Sequence, residues 1–151
     1  MVPHMQNLWL INRYASGVLF GGALLLAAVL DAKTREIPDT CHLMLLASGL
    51  LGILAERVSF WDALAGMLCT GLLCLSLTFW KEDGFGGGDI KLIGAASFCL
   101  GMLASAYALV FSLSAAVLYV LLRMLWDKTK GQAVALAPFL SAGYCLLYFQ
   151  K

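Results

Sequence analysis

Two aspartates stand at the edges of apolar runs, where a carboxyl group needs a partner or a function. Asp31 ends the first apolar run, and Asp89 follows the glycine-rich residues 84–88 and precedes the run that starts at Ile90. The helix dipole disfavours a carboxylate at a helix C-terminus, whereas free N–H groups favour one at an N-terminus. The sequence therefore predicts two acids in opposite local environments, at the ends of two different helices.

Two carboxyl groups that meet in a partly enclosed site can hydrolyse a peptide bond. Two like charges at short distance are costly, so one of the two groups keeps a proton. The ionised group can then activate water while the protonated group donates to a carbonyl or leaving group. This chemistry requires no metal and no cofactor, and we expect neither. Each acid also has a simpler explanation, because Asp31 could pair with Lys33 or Arg35 and Asp89 could cap its helix.

The glycines before Asp89 suit such a site. Gly86, Gly87 and Gly88 carry no Cβ atom, so a substrate backbone could approach Asp89 closely and the loop could adopt positive φ angles. A flexible loop would explain the same three residues.

The elements that must position these groups are membrane helices. The chain of 151 residues is 62% hydrophobic and 13% charged, with a mean hydropathy of +0.87, and its apolar residues fall in long runs. We predict an all-α membrane protein in which residues 1–151 form a single polytopic domain, a bundle of about six transmembrane helices. The predicted spans are residues 14–30, 41–55, 61–80, 90–103, 104–126 and 133–149. A net charge of +1 provides no basic field for nucleic acid.

The distribution of basic residues favours six crossings, although the second and fourth runs are short enough to be re-entrant. With six spans, most basic residues share one side of the membrane, which the positive-inside rule makes cytoplasmic. These residues are Lys33, Arg35, Lys81, Lys91, Arg123, Lys128 and Lys130. We therefore predict a multi-pass protein of the plasma (inner) membrane with both termini outside. The candidate catalytic loops, and the active site, lie at the cytoplasmic membrane boundary.

The aspartate motifs resemble those of the type IV prepilin peptidase family of membrane aspartic proteases. Asp31 is followed after six residues by Pro38 and Asp39, which is similar to the first motif of that family. Residues 86–92, with the sequence GGGDIKL, are similar to its second motif, GxGDxKL. The resemblance covers roughly residues 17–143.

The resemblance implies that Asp31 and Asp89 cleave the short basic cytoplasmic leader of prepilin-like precursors, either type IV pilins or pseudopilins. The partners would then be this membrane substrate and the lipid bilayer; the oligomeric state stays open. The residues expected to bind substrate or support the site are Gly86, Gly87, Gly88, Lys91, Pro38 and Asp39. The acids expected to attract the basic leader are Glu36, Asp39, Glu82 and Asp83. Many relatives also methylate the new terminus and carry Cys-x-x-Cys pairs, which this sequence lacks, so peptidase activity without a methyltransferase domain is expected.

A different class of protein also fits the two acids. A small transporter or channel subunit could use Asp31 and Asp89 to bind a cation or relay protons. This alternative is weaker because neither acid is predicted near the bilayer midplane and no inverted halves are visible. Among the remaining residues, we expect His42 to have no partner and Pro138 to kink the sixth helix.

Overall fold

The computed structural model describes residues 3–80, 86–126 and 135–150, with side chains from residue 7 onward. Within these residues the chain is all-helical, as predicted. The helices are α1 (Pro3–Thr34), α2 (Asp39–Leu54), α3 (Phe60–Trp80), α4 (Gly87–Leu100), α5 (Met102–Trp126) and α6 (Ala137–Gln150). Several residues used in the sequence analysis lie outside the described residues: Lys81, Glu82, Asp83, Lys128 and Lys130.

Three stretches among the described residues are long and apolar enough to cross a membrane. They are Asn7–Thr34, Phe60–Trp80 and Met102–Trp126, in α1, α3 and α5. Helices α2, α4 and α6 are shorter, with 16, 14 and 14 residues. The long helices therefore alternate with short ones along the chain.

Helix α4 forms the centre of the bundle. It packs against α2, α3, α5 and α6, while α1 packs against α2 and α6 on the outside. Every residue from Leu92 to Leu100 is buried. A helix that is apolar all round belongs in such a position, because none of its faces can meet water. The start of this central helix carries Asp89.

Small residues let the neighbouring helices approach α4 and α5 closely. A Cβ atom on Gly66 of α3 would lie 2.7 Å from the backbone carbon of Gly101 and 2.9 Å from the carbonyl oxygen of Ser97. A Cβ atom on Gly143 of α6 would collide with the Ser112 side chain of α5. Contacts of this kind drive helix association in membranes, where apolar surface alone does not.

The boundary between the fourth and fifth predicted spans is wrong by about three residues. Helix α4 ends at Leu100 rather than 103, and Gly101 adopts a φ angle of +83°. The N–H of Met102 then donates to Oδ1 of Asp62, on α3, over 3.1 Å. A left-handed glycine ends the helix, and a carboxylate from another helix caps the next one. An apolar run alone predicts neither the left-handed conformation of Gly101 nor the capping carboxylate of Asp62.

The predicted kink at Pro138 is also wrong. Helix α6 begins at Ala137, so Pro138 is its second residue. Proline is tolerated in the first turn because its missing N–H would have no intrahelical partner there. Pro138 therefore marks the start of α6, four residues later than the start predicted for the sixth span.

Candidate active site

Asp31 lies in the last turn of α1, the position that the sequence predicts. Its side chain is only 7% exposed, and its Oδ2 accepts a hydrogen bond of 3.0 Å from the backbone N–H of Ala137. Ala137 is the first residue of α6, so the carboxylate meets the free N–H groups of a helix N-terminus. This donor offsets the unfavourable end of α1.

Asp89 lies in the first turn of α4, directly before the long buried stretch of that helix. Burial, followed by the charge of Asp31, raises the pKa of Asp89 to about 6, against a backbone hydrogen bond from Gly86 that lowers it. Among the described residues, the buried Oδ1 of Asp89 has no hydrogen-bond partner. An unpaired buried carboxyl oxygen is costly.

The two aspartates line one cleft of about 380 Å³ at the same end of the bundle. The lining residues are Asp31, Arg35, Glu36, Ile37, Asp39, His42, Gly86, Gly87, Gly88, Asp89 and Lys91. All of the sequence-predicted site residues that the structure describes are among them except Pro38. Pro38 instead stands at the N-cap of α2, with φ −68° and ψ 146°, where it sets the chain direction into that helix.

The glycine segment differs from the loop that the sequence predicts. Gly87 and Gly88 are the first two residues of α4, and Gly86 is its N-cap with a φ angle of −62°. Within the described part of the chain, only Gly101 among the glycines has a positive φ. The expected positive-φ loop is therefore wrong at these three positions. Gly87 does have the open space that the sequence predicts for an approaching substrate backbone, because an added Cβ atom would meet nothing within 4 Å.

Lys91 joins the two aspartate motifs by an ion pair. Its Nζ donates to Oδ1 of Asp39 over 3.2 Å, and the hydrogen bond and charge of Lys91 lower the pKa of Asp39. The pair is solvent-exposed, so it adds little to stability. Of the acids predicted to attract a basic leader, Glu36 and Asp39 line the cleft, and Lys91 balances the charge of Asp39.

His42 is the cleft residue that sequence reasoning missed, and the expectation that it has no partner is wrong. The side chain is buried, with Nε2 3.2 Å from the carbonyl oxygen of Gly88 and Nδ1 3.5 Å from Oδ1 of Asp39. The available signal was its spacing: His42 lies three residues after Asp39 in the sequence, and residues three apart share a helix face. The contact with Gly88 joins positions 46 apart, and no local pattern indicates it.

Comparison with known proteins identifies the family. The model of the type IV leader peptidase family matches residues 18–121, which include both aspartates, and this chain belongs to that family. With three long apolar helices, it is a multi-pass membrane protein. The family favours a peptidase over the transporter alternative, and the predicted resemblance is confirmed.

Several relatives share the name prepilin leader peptidase/N-methyltransferase. The relative from Pectobacterium carotovorum subsp. carotovorum is 35% identical over 128 residues, which is 80% of this chain and 46% of the relative. The one from Bacillus subtilis (strain 168) is 31% identical over 133 residues, covering 87% and 54%. The one from Dickeya chrysanthemi is 33% identical over 130 residues, covering 81% and 45%. The chain thus spans about half the length of these relatives. No solved structure gives a significant match.

Proposed function

We propose that the chain is a membrane aspartic endopeptidase that removes the leader of prepilin-like precursors, with Asp31 and Asp89 as its catalytic pair. The observation that carries this proposal is the shared cleft, in which both carboxyl groups lie and burial, followed by the charge of Asp31, raises the pKa of Asp89. The family and the names of the relatives support the substrate class.

The environments of the two carboxyl groups assign their roles. Asp31 accepts a backbone N–H, which suits an ionised carboxylate, whereas the raised pKa of Asp89 suits a protonated carboxyl. Asp31 takes a proton from water as the water oxygen attacks the scissile carbonyl carbon, and Asp89 gives its proton to the carbonyl oxygen. The tetrahedral intermediate then collapses: the C–N bond breaks, Asp31 passes its proton to the leaving nitrogen, and Asp89 regains its own from the hydroxyl group.

The contacts at the two ends of the bundle support the six-span topology. One end holds the C-terminus of α1 with the N-termini of α4 and α6, through Asp31, Asp89 and Ala137. At the other end, Asp62 near the start of α3 meets the junction of α4 and α5, and Arg57, before α3, donates to the carbonyl oxygen of Tyr148 near the end of α6. These contacts favour an arrangement in which each helix runs from one end of the bundle to the other. The positive-inside rule then places the cleft at the cytoplasmic boundary of the plasma membrane and both termini outside.

Cleavage by the purified protein tests the proposal. In detergent, the wild type is expected to shift the mobility of a prepilin-like substrate, and sequencing of the new N-terminus locates the cut. Asp31→Asn and Asp89→Asn should each abolish cleavage, and the double variant should be no worse, because the two groups act as one unit. Glu56→Gln is the matched control, since Glu56 lies in the turn between α2 and α3, at the other end of the bundle.

Two results would contradict the proposal. Near wild-type cleavage by a monodisperse Asn variant would exclude the carboxyl pair as the catalyst. A wild-type protein that cleaves no such substrate, but moves protons in liposomes, would support the transporter alternative.

A further inference from the structure

We propose that His42 is a positioning residue that holds the backbone of the segment carrying Asp89; this inference rests on the proposed peptidase function. The imidazole does this by donating a hydrogen bond from Nε2 to the carbonyl oxygen of Gly88, 3.2 Å away. Gly88 immediately precedes Asp89, so the bonded carbonyl lies one residue from the catalytic carboxyl group.

The segment that His42 holds has few restraints of its own. Gly87 and Gly88 have no side chains, and the neighbourhood of Gly87 is open, since an added Cβ atom would meet nothing within 4 Å. Glycine loses the most conformational freedom on ordering. The carboxyl group of Asp89 accepts a backbone hydrogen bond from Gly86, and its Oδ1 has no partner among the described residues. A contact from another helix therefore adds a restraint to a first turn that is otherwise held by backbone bonds such as the one from the Ile90 N–H to the Gly86 carbonyl oxygen.

His42 can restrain this segment because its own side chain has little freedom to move. The residue is only 7% exposed, so packing restrains the ring; its Nδ1 lies 3.5 Å from Oδ1 of Asp39 and has no hydrogen-bond partner among the described residues. The same oxygen accepts from Lys91 over 3.2 Å. Two contacts between α2 and α4, from Lys91 to Asp39 and from His42 to Gly88, therefore lie on either side of Asp89.

The contacts also separate this role from catalysis. Neither nitrogen of His42 is bonded to Asp31 or Asp89; its polar neighbours are Asp39 and the Gly88 carbonyl. Loss of the hydrogen bond to the Gly88 carbonyl should therefore displace Asp89 without removing a reacting group. Small misplacements of a catalytic group lower the rate of the chemical step more than they weaken substrate binding.

Two amide substitutions at His42 distinguish a donor at the position of Nε2 from one at the position of Nδ1. The amide nitrogen in His42→Gln reaches about as far as Nε2 and can still donate to the Gly88 carbonyl. The amide in His42→Asn reaches only about as far as Nδ1, so it loses that contact. We expect His42→Asn to lower kcat by roughly tenfold or more with KM changed less than about threefold. For His42→Gln, we expect kcat within about threefold of wild type.

A spectroscopic measurement tests the contact without any substitution at the site. A donor at Nε2 must carry a hydrogen, and ¹⁵N NMR of ring-labelled protein distinguishes a protonated from an unprotonated imidazole nitrogen. The chain has two histidines, and His4→Gln assigns the remaining signals to His42. An Nε2 of His42 without a proton would overturn the inference, whether or not a variant fails to fold.

The kinetic outcomes also distinguish a failure of this inference from a failure of the proposed peptidase function. Equal kcat values for His42→Asn and wild type, or equal losses in the Asn and Gln variants, would show that the Gly88 contact positions nothing. A wild-type protein that cleaves no prepilin-like substrate would instead contradict the proposed function, and the NMR result would still decide whether the contact exists.

Discussion

The backbone N–H of Ala137 lies 3.0 Å from Oδ2 of Asp31 and donates to it. This hydrogen bond joins the last turn of α1 to the first turn of α6, two helices that are far apart in the sequence. Both residues are buried, and the N–H of Ala137 would have no water to replace the carboxylate if the bond were lost. The contact therefore contributes to the fold as well as to the charge state of the cleft.

The two roles of Asp31 can be separated by comparing two substitutions. Asp31→Asn keeps an oxygen that accepts from Ala137, whereas Asp31→Ala leaves that buried N–H unpaired. We expect Asp31→Ala to have a free energy of unfolding lower than that of Asp31→Asn by about 1–3 kcal/mol. Thermal unfolding in detergent measures the difference. Glu36→Ala and Glu36→Gln, at an exposed residue of the same cleft, should not differ, and equal stability of the two Asp31 variants would contradict the role of the contact.

The charge state of Asp89 should depend on pH in the mildly acidic range. The pKa of Asp89 is raised to about 6, so its protonated fraction, and with it the cleavage rate, should fall as the pH rises through about 6. Carbodiimides react with protonated carboxyl groups, and labelling of Asp89 measures this fraction directly. Because the charge of Asp31 is the second cause of the raised pKa, the labelling midpoint should move to lower pH in Asp31→Asn. An unchanged midpoint would show that the two groups do not interact.

Gly101 should tolerate no side chain. Its φ angle is +83°, and an added Cβ atom would collide with the Asp62 carboxylate and lie 3.2 Å from Cγ1 of Val58. We expect Gly101→Ala to lower the free energy of unfolding by about 1–3 kcal/mol. Gly71→Ala is the control, because Gly71 lies in α3 with nothing within 4 Å of an added Cβ atom, and we expect it to be neutral or to stabilise by up to about 1 kcal/mol. Equal stability of the two variants would contradict this account of the α4–α5 junction.

The proposed topology predicts which positions a membrane-impermeant thiol reagent can reach. In a variant without the native cysteines, Lys128→Cys should be protected from reagent added outside, and Lys151→Cys should react. Permeabilised cells provide the control, since both positions should then be labelled. Labelling of Lys128→Cys from outside in intact cells would contradict the six-span arrangement.

The comparison of sequence and structure shows which features local patterns can predict. The edges of the apolar runs predict that Asp31 and Asp89 lie at helix ends. The two motifs and the charge asymmetry predict that both residues face one cleft. The contacts with Ala137 and His42 join positions that are distant in the chain, and no local pattern specifies them. The same holds for Asp62, which caps α5 from α3 and moves the helix boundary to Gly101.

The short central helix has a consequence for the lipid around it. Fourteen residues at about 1.5 Å each extend some 21 Å, less than the roughly 30 Å of a typical hydrocarbon core. In the proposed topology, at least one end of α4 therefore lies below the level of the surrounding headgroups. Where that end is the one that carries Asp89, water meets the carboxyl group only if the bilayer thins or the protein keeps lipid away. The hydrophobic thickness of the host membrane thereby becomes a determinant of how readily the cleft hydrates, and lipids with longer acyl chains work against the catalytic water.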